Sequence, residues 1–292
     1  MLRVISTLLV YSAIASGFLF GFPKAAIADH GACPCATTPA SQSSLAPTDL
    51  LVEPFQRAII AWNGETEWLI LATGMAVSTN KSGFSRVVQF IPLPANATSQ
   101  QERRDVFDRM NALYPTPSDL PSARLSNANG TMDADSEVVE IAQPSELIAA
   151  ITRRCAIEPS YIAPTQEIAQ DYIDRGHRAF AIESIALDST IRSFPPMSYE
   201  FPSAELYYPL ETSIMGSGIT SVDLTLVTPN GIDNFDETST PITMLSRFLV
   251  DASELISVQP RLIELFSQDK VVVQHILLRG DLKDMKLDLR GR

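Results

Sequence analysis

After its first fifty residues, the chain alternates short apolar runs with prolines, glycines and polar turns. That pattern predicts strands more often than helices. The clearest run is residues 84–94, FSRVVQFIPLP, an apolar strand closed by Pro92-Leu93-Pro94. Upstream, residues 56–62 (QRAIIAW) are apolar and β-prone, Asn63-Gly64 is a hairpin signal, and residues 67–71 return as the partner strand. With residues 86–91 these predict an antiparallel meander.

Residues 101–113 switch to helical spacing, with Val106, Phe107, Met110 and Leu113 on one face and Asp105, Asp108 and Arg109 on the other. Residues 116–135 are rich in Pro, Ser, Asn and Asp and read as a long surface loop. A short strand is expected at 138–141. A helix capped by Ser145 is expected over 145–154, with Leu147, Ile148 and Ile151 facing inward. A second helix over 164–175 turns Ile168, Tyr172 and Ile173 inward and stops at Gly176.

Strands resume at 179–187, 206–214 and 222–227, with a turn at Pro229-Asn230-Gly231. Residues 241–256 fit helix or strand. Residues 271–278 are a strand, and the charged residues of 279–292 predict an exposed end. The fold class expected is α+β, mainly antiparallel sheet with a few packed helices, in one domain over residues 50–292.

The first 28 residues carry a different pattern. Met1-Leu2-Arg3 is a short basic start, residues 4–22 are an uncharged apolar run, and Ala26-Ile27-Ala28 matches a signal-peptidase site, with cleavage before Asp29. Retention of the run as an N-terminal anchor is the alternative, because it is nearly long enough to span a bilayer. Residues 29–49, rich in Ala, Pro, Ser and Thr, read as a flexible leader. The expected location is therefore secreted or periplasmic, with membrane association only if the first segment is kept.

Charge narrows the partners. The chain carries a net −12 and no basic stripe, so phosphate backbones are repelled and nucleic acid is not an expected partner. The 45% hydrophobic and 19% charged composition argues against disorder.

Several stretches, taken in order, resemble the bacterial predicted secreted proteins grouped as domain of unknown function 2330. They are FSRVVQFIPLPA (84–95), DVFDRMNAL (105–113), YIAPTQEIAQDYIDRGHRAFAIESI (161–185), FPPMSYEFPSAELYYPLETSIMG (194–216) and HILLRGDLKDMKLDL (275–289). Two departures stand out. The family strand often has Trp before its Pro pair, where this chain has Val87-Val88-Gln89-Phe90, and the family's leading cysteines are set differently from Cys33-Pro34-Cys35. The resemblance implies an exported protein, sometimes membrane-tethered, and supplies no catalytic residues.

Candidate chemistry is sparse. Cys33, Cys35 and Cys155 are the only cysteines, and export would place them in an oxidising compartment. All three are disulfide candidates. Pairing Cys33 with Cys35 closes a very small strained ring, whereas Cys155 with either would staple the leader to the helical region and contribute ~2–4 kcal/mol. His30, Cys33 and Cys35 are also candidate ligands for a soft metal such as Cu(I) or Zn, weighed against a disulfide or inert thiols. His177 reads as a surface or capping histidine rather than a general base. Trp62, Trp68, Tyr207 and Tyr208 are either core or the lining of a binding groove. The Gly-x-Ser-x-Gly, His-Glu-x-x-His, phosphate-loop and dinucleotide motifs are absent from the sequence. The expected function is an exported cell-envelope protein acting as a non-catalytic binding or structural module, with an unidentified envelope partner or ligand and no cofactor. The alternative is a periplasmic metal-binding or thiol protein using His30, Cys33 and Cys35. A hydrolase whose scattered Asp, Glu and His converge in a cleft is the third reading.

Overall fold

The computed structural model describes residues 33–36, 51–77, 84–115, 139–154, 159–186, 192–214, 218–236 and 241–292. Residues 1–28, the stretch 116–135 read as a loop from sequence, His30 and Cys155 lie outside the described residues. Among the described helices none is long and apolar enough to cross a membrane.

The chain is α+β, built on mostly antiparallel sheet with a few helices. Strand β1 is Cys33–Ala36, β2 Leu51–Trp62, β3 Thr66–Val77, β4 Phe84–Leu93 and β5 Thr98–Gln101. Helix α1 is Val106–Leu113, and β6 is Glu140–Ala142. Helices α2 (Leu147–Arg154) and α3 (Pro159–Asp174) lead into β7 (Ala179–Ala186), β8 (Arg192–Ser193), β9 (Met197–Pro202) and β10 (Leu206–Tyr208). Strands β11 (Ile219–Thr228) and β12 (Ile242–Asp251) precede the short helix α4 (Arg261–Glu264), β13 (Lys270–Asp281) and β14 (Leu289–Gly291).

The larger sheet runs β12-β13-β11-β2-β3-β9-β5, with β8 also on β3. Its pairings are antiparallel except for β11 with β2, which is parallel and makes the sheet mixed. The smaller sheet runs β1-β4-β7-β6, and β10 pairs with β14 alone. Strand alternation sends Ala58, Ile60, Leu69, Leu71, Leu224 and Leu226 to one face of the larger sheet. There they meet Ile91, Leu93, Ala179 and Ala181 of the smaller sheet. The opposite face, with Ile59, Trp68, Ile70 and Val273, is covered by α1 and the turns at 252–266. Helices α2 and α3 cover the far side of the smaller sheet, packing Leu147, Ile151 and Tyr172 on Phe90, Phe180 and Ile182. The layers are thus helix, sheet, sheet, helix. The central strands of both sheets are covered on both faces, which explains why they read as continuous apolar runs, whereas the end strands β12 and β5 of the larger sheet are largely exposed.

The hairpin between β2 and β3 is fixed locally. Gly64 adopts φ +101°, and the Asn63 side-chain oxygen accepts from the backbone N–H of Glu65 at 2.9 Å and Thr66 at 2.8 Å. At the other end of the pair, a Cβ on Gly74 would lie 2.3 Å from the Phe55 ring, so any side chain there must displace that ring.

Several expectations change. The meander stops after two strands. β4 joins the smaller sheet between β1 and β7, because the outer edge of β3 is taken by β9 and β8. Pro92 lies in β4 opposite Phe180 of β7, beyond Val88, the last residue of β4 with a described partner in β1. The helix expected from 101 begins at Val106, since 98–101 pair with β9 instead, and Leu113 is exposed. Ser145 lies inside a 3-10 turn at Pro144–Glu146 and caps nothing. Residues 206–214 split into β10 and a 3-10 turn. Within the stretch read as a leader, Cys33–Ala36 form an edge strand on β4. The end of the chain is packed rather than exposed: Leu282, Met285, Asp288 and Leu289 are buried, and β14 pairs with β10.

Candidate functional site

Residues 98–101, TSQQ, offer no large apolar side chain to a core, which suits them to an exposed sheet edge. Strand β5 ends the larger sheet, and all four of its residues are exposed. Register sets out the face beside it. Thr98 pairs with Glu200, which pairs with Trp68, while Gln100 pairs with Ser198. Side chains in such rows point to the same side of a sheet. Over that side the turn at 259–264 forms a wall, leaving a cleft of about 340 Å³ with Trp68 at its inner end. Trp68 is only 4% exposed, so its ring belongs chiefly to the core and shows the cleft a small part.

Glu102 sits where β5 ends, anchored by its backbone N–H donating to the Pro196 carbonyl at 2.8 Å. It is 6% exposed. Ser198 Oγ donates to one carboxylate oxygen at 2.7 Å, and the Gln259 side-chain amide donates to the other. Both donors are neutral, and among the described residues no cation pairs with this carboxylate. Arg261, on the opposite wall, forks onto Glu200 through Nη2 at 2.7 Å and Nε at 3.1 Å. Its Nη1 reaches Glu264 at 2.5 Å. Hydrogen bonds to these two carboxylates hold the guanidinium above its ordinary pKa. The cleft therefore gathers three carboxylates around one guanidinium, a net negative site with its deepest acid uncompensated.

Apart from Trp68, the described residues nominated from sequence lie outside the cleft. Cys33 and Cys35 lie in β1, where Cys33 pairs with Val88 across the ladder, and His30 and Cys155 are outside the described residues. Among the described residues no group of three His, Cys, Asp or Glu is placed to hold a metal ion. His177 is a correction. Its backbone N–H closes the end of α3 onto Tyr172, but its ring is buried between Tyr172 and Tyr207, with centroids at 4.8 and 5.3 Å. Burial, aided by Arg175 and Arg290, pushes its pKa down to about 3, so it is a neutral core residue. His275 is also buried and holds Thr225 Oγ1 at 3.0 Å through Nδ1. Tyr207 and Tyr208 are core, and Trp62 donates from Nε1 to the Ser203 carbonyl at 3.0 Å. Of the four aromatics, Trp68 alone reaches the cleft.

Two buried polar clusters serve the scaffold. Asp288 accepts from Tyr172 Oη at 2.7 Å and from the backbone N–H groups of Leu210 and Glu211 at 3.0 Å each, fastening the chain end to α3. Between the sheets, Glu183 accepts from Tyr199 Oη and from the Gln89 amide at 3.0 Å. Burial pushes the Glu183 pKa up to about 7 against those two hydrogen bonds.

Comparison with known proteins adds little. No family model matches the chain, and no curated protein matches it. A solved structure, that of a mutated baculovirus P35 after caspase cleavage, aligns over 81% of this chain and 96% of its own with 10% identity and a TM-score of 0.36. A similarity at that level carries no inference about this chain.

Proposed function

We propose that the protein is an exported, non-catalytic binding module whose cleft beside β5 takes a cationic group, such as the side-chain amine of a lysine. The observation that carries this reading is Glu102. It is a nearly buried carboxylate held in place by neutral donors, so its orientation is fixed while its charge is left for a ligand. Arg261 is already committed to Glu200 and Glu264 and walls the cleft rather than neutralising its base. An entering ammonium replaces water with a charge-assisted hydrogen bond in a partly desolvated site. Export rests on the pattern of residues 1–28 and on the resemblance to secreted bacterial proteins, and the acidic chain suits a basic partner.

The test uses three blocked pentapeptides, acetyl-Thr-Val-X-Val-Thr-amide, with X as lysine, norleucine or glutamate. Binding is read from amide shifts of Ser198, Glu200 and Gln259 and from the emission of the protein's two tryptophans. The lysine peptide is expected to bind at least about tenfold more tightly than the norleucine peptide, with the glutamate peptide weakest. Glu102→Gln, which keeps the shape and an acceptor for Ser198, should erase the preference for lysine. Equal affinities for all three peptides, or shifts confined to another surface, would refute the reading.

A further inference from the structure

The open edge of β5 lies along the mouth of the cleft, and we infer that the partner is an extended peptide segment that adds to β5 as a further strand of the larger sheet while its basic side chain enters the cleft. The inference rests on the cationic-group reading and specifies how the group is delivered.

Three observations carry it. First, β5 is the last strand of the sheet and is paired only with β9 among the described residues, so one row of its backbone N–H and C=O groups faces outward. Second, Thr98, Ser99 and Gln100 themselves line the cleft, so a chain laid along β5 runs along the cleft's rim. Third, the register fixes the direction of side chains. Trp68, Glu200 and Thr98 form one cross-strand row, and Ser198 and Gln100 form the next, on the cleft side of the sheet. An added strand lies about 4.8 Å beyond β5, and every second residue of it continues these rows onto the same side. A residue paired with Thr98 or Gln100 therefore projects over the cleft, beside Glu102. The backbone supplies affinity and the acidic cleft selects the side chain.

β5 suits an exchangeable partner. Its four residues are polar and exposed, so they offer an edge without an apolar patch. A basic peptide also matches the cleft's charge, which an acidic or neutral peptide does not.

The experiment uses the full chain and the lysine pentapeptide in three forms: unmodified, N-methylated at the first, third and fifth amides, and N-methylated at the second and fourth. In a strand these two sets of N–H groups point to opposite edges. The unmodified peptide and one isomer should bind alike, and the other isomer should bind at least about tenfold more weakly. Amide exchange at residues 98–101 should slow on binding the first two peptides. Two isomers that both match the unmodified peptide, or that both fail equally, would overturn strand addition while leaving the cleft's preference for lysine standing. Failure of the unmodified peptide to perturb the cleft removes the underlying reading, and this inference with it.

Discussion

Glu183 gives the most direct test of the packing between the two sheets. Its carboxyl is buried with Gln89 from β4 and Tyr199 from β9, and burial raises its pKa from 4.5 to about 7. The unfolded chain releases this proton near pH 4.5 and the folded chain near 7, so between those values the native state holds more protons. The group's contribution is therefore fullest below pH 4.5 and declines as pH rises through 7. A displacement of that size is worth about 3 kcal/mol. Glu183→Gln removes the titration while keeping the acceptor for Tyr199. Its new N–H₂ also offers a donor to Gln89 Oε1, which has no partner among the described residues, once the Gln89 amide turns over. Urea midpoints for both proteins from pH 4.5 to 8 report the difference directly, since other groups titrate alike in each. The variant is expected to gain about 3 kcal/mol on the parent across that window, with the change saturating above pH 8. A difference that stays constant to within about half a kcal/mol would show that the carboxyl titrates normally and that the inter-sheet contact is wet.

The remaining predictions concern fixed points of the scaffold. Asp288→Ala leaves two backbone N–H groups and the Tyr172 hydroxyl without their acceptor and should cost about 3 kcal/mol or more by urea unfolding. Asp288→Asn, which keeps an acceptor oxygen, should cost much less, and equal losses would show that the charge matters rather than the hydrogen bonds. Gly74→Ala forces its Cβ into the Phe55 ring and should lower stability by about 1–3 kcal/mol. The double variant with Phe55→Leu should recover part of that loss, and failure to do so would place the strain elsewhere.

What was legible in the sequence was local. Asn63-Gly64 announces the β2–β3 hairpin because its turn is made by its own side chain and one positive φ. Gly176 announces the end of α3 for the same reason, at φ +93°. The partner of β4 is not legible, since Gln89 meets Glu183 94 positions away and nothing in FSRVVQFIPLP names that strand. Helical spacing over 101–113 overstates the helix, because Gln101 belongs to a strand paired with β9 and the helix starts only at Val106. Lysines and aspartates around Leu282, Met285 and Leu289 disguise a buried chain end as a charged tail. The cleft draws Glu102, Ser198 and Gln259 from three distant segments, so no motif could have carried it. Of the four aromatics weighed as core or groove lining, Trp68 borders the cleft but contributes mainly to the core.

The parallel pairing of β11 with β2 has a consequence for the order in which the chain can fold. The β2–β3 hairpin is local and can form early, but one of its long edges waits for a strand 166 residues further on, as in the pairing of Ile59 with Thr225. That strand in turn pairs with β13, whose chain continues directly into the tail that closes on β10. Closing so wide a loop delays folding, because its entropy must be spent before the contacts it enables repay it. Until then the hairpin presents an unpaired apolar edge. A chain that stays unfolded until its last strand has been delivered, as one passed across a membrane in extended form does, avoids exposing that edge for long, whereas a ribosome-bound fragment ending before β11 would hold it open to association with its neighbours.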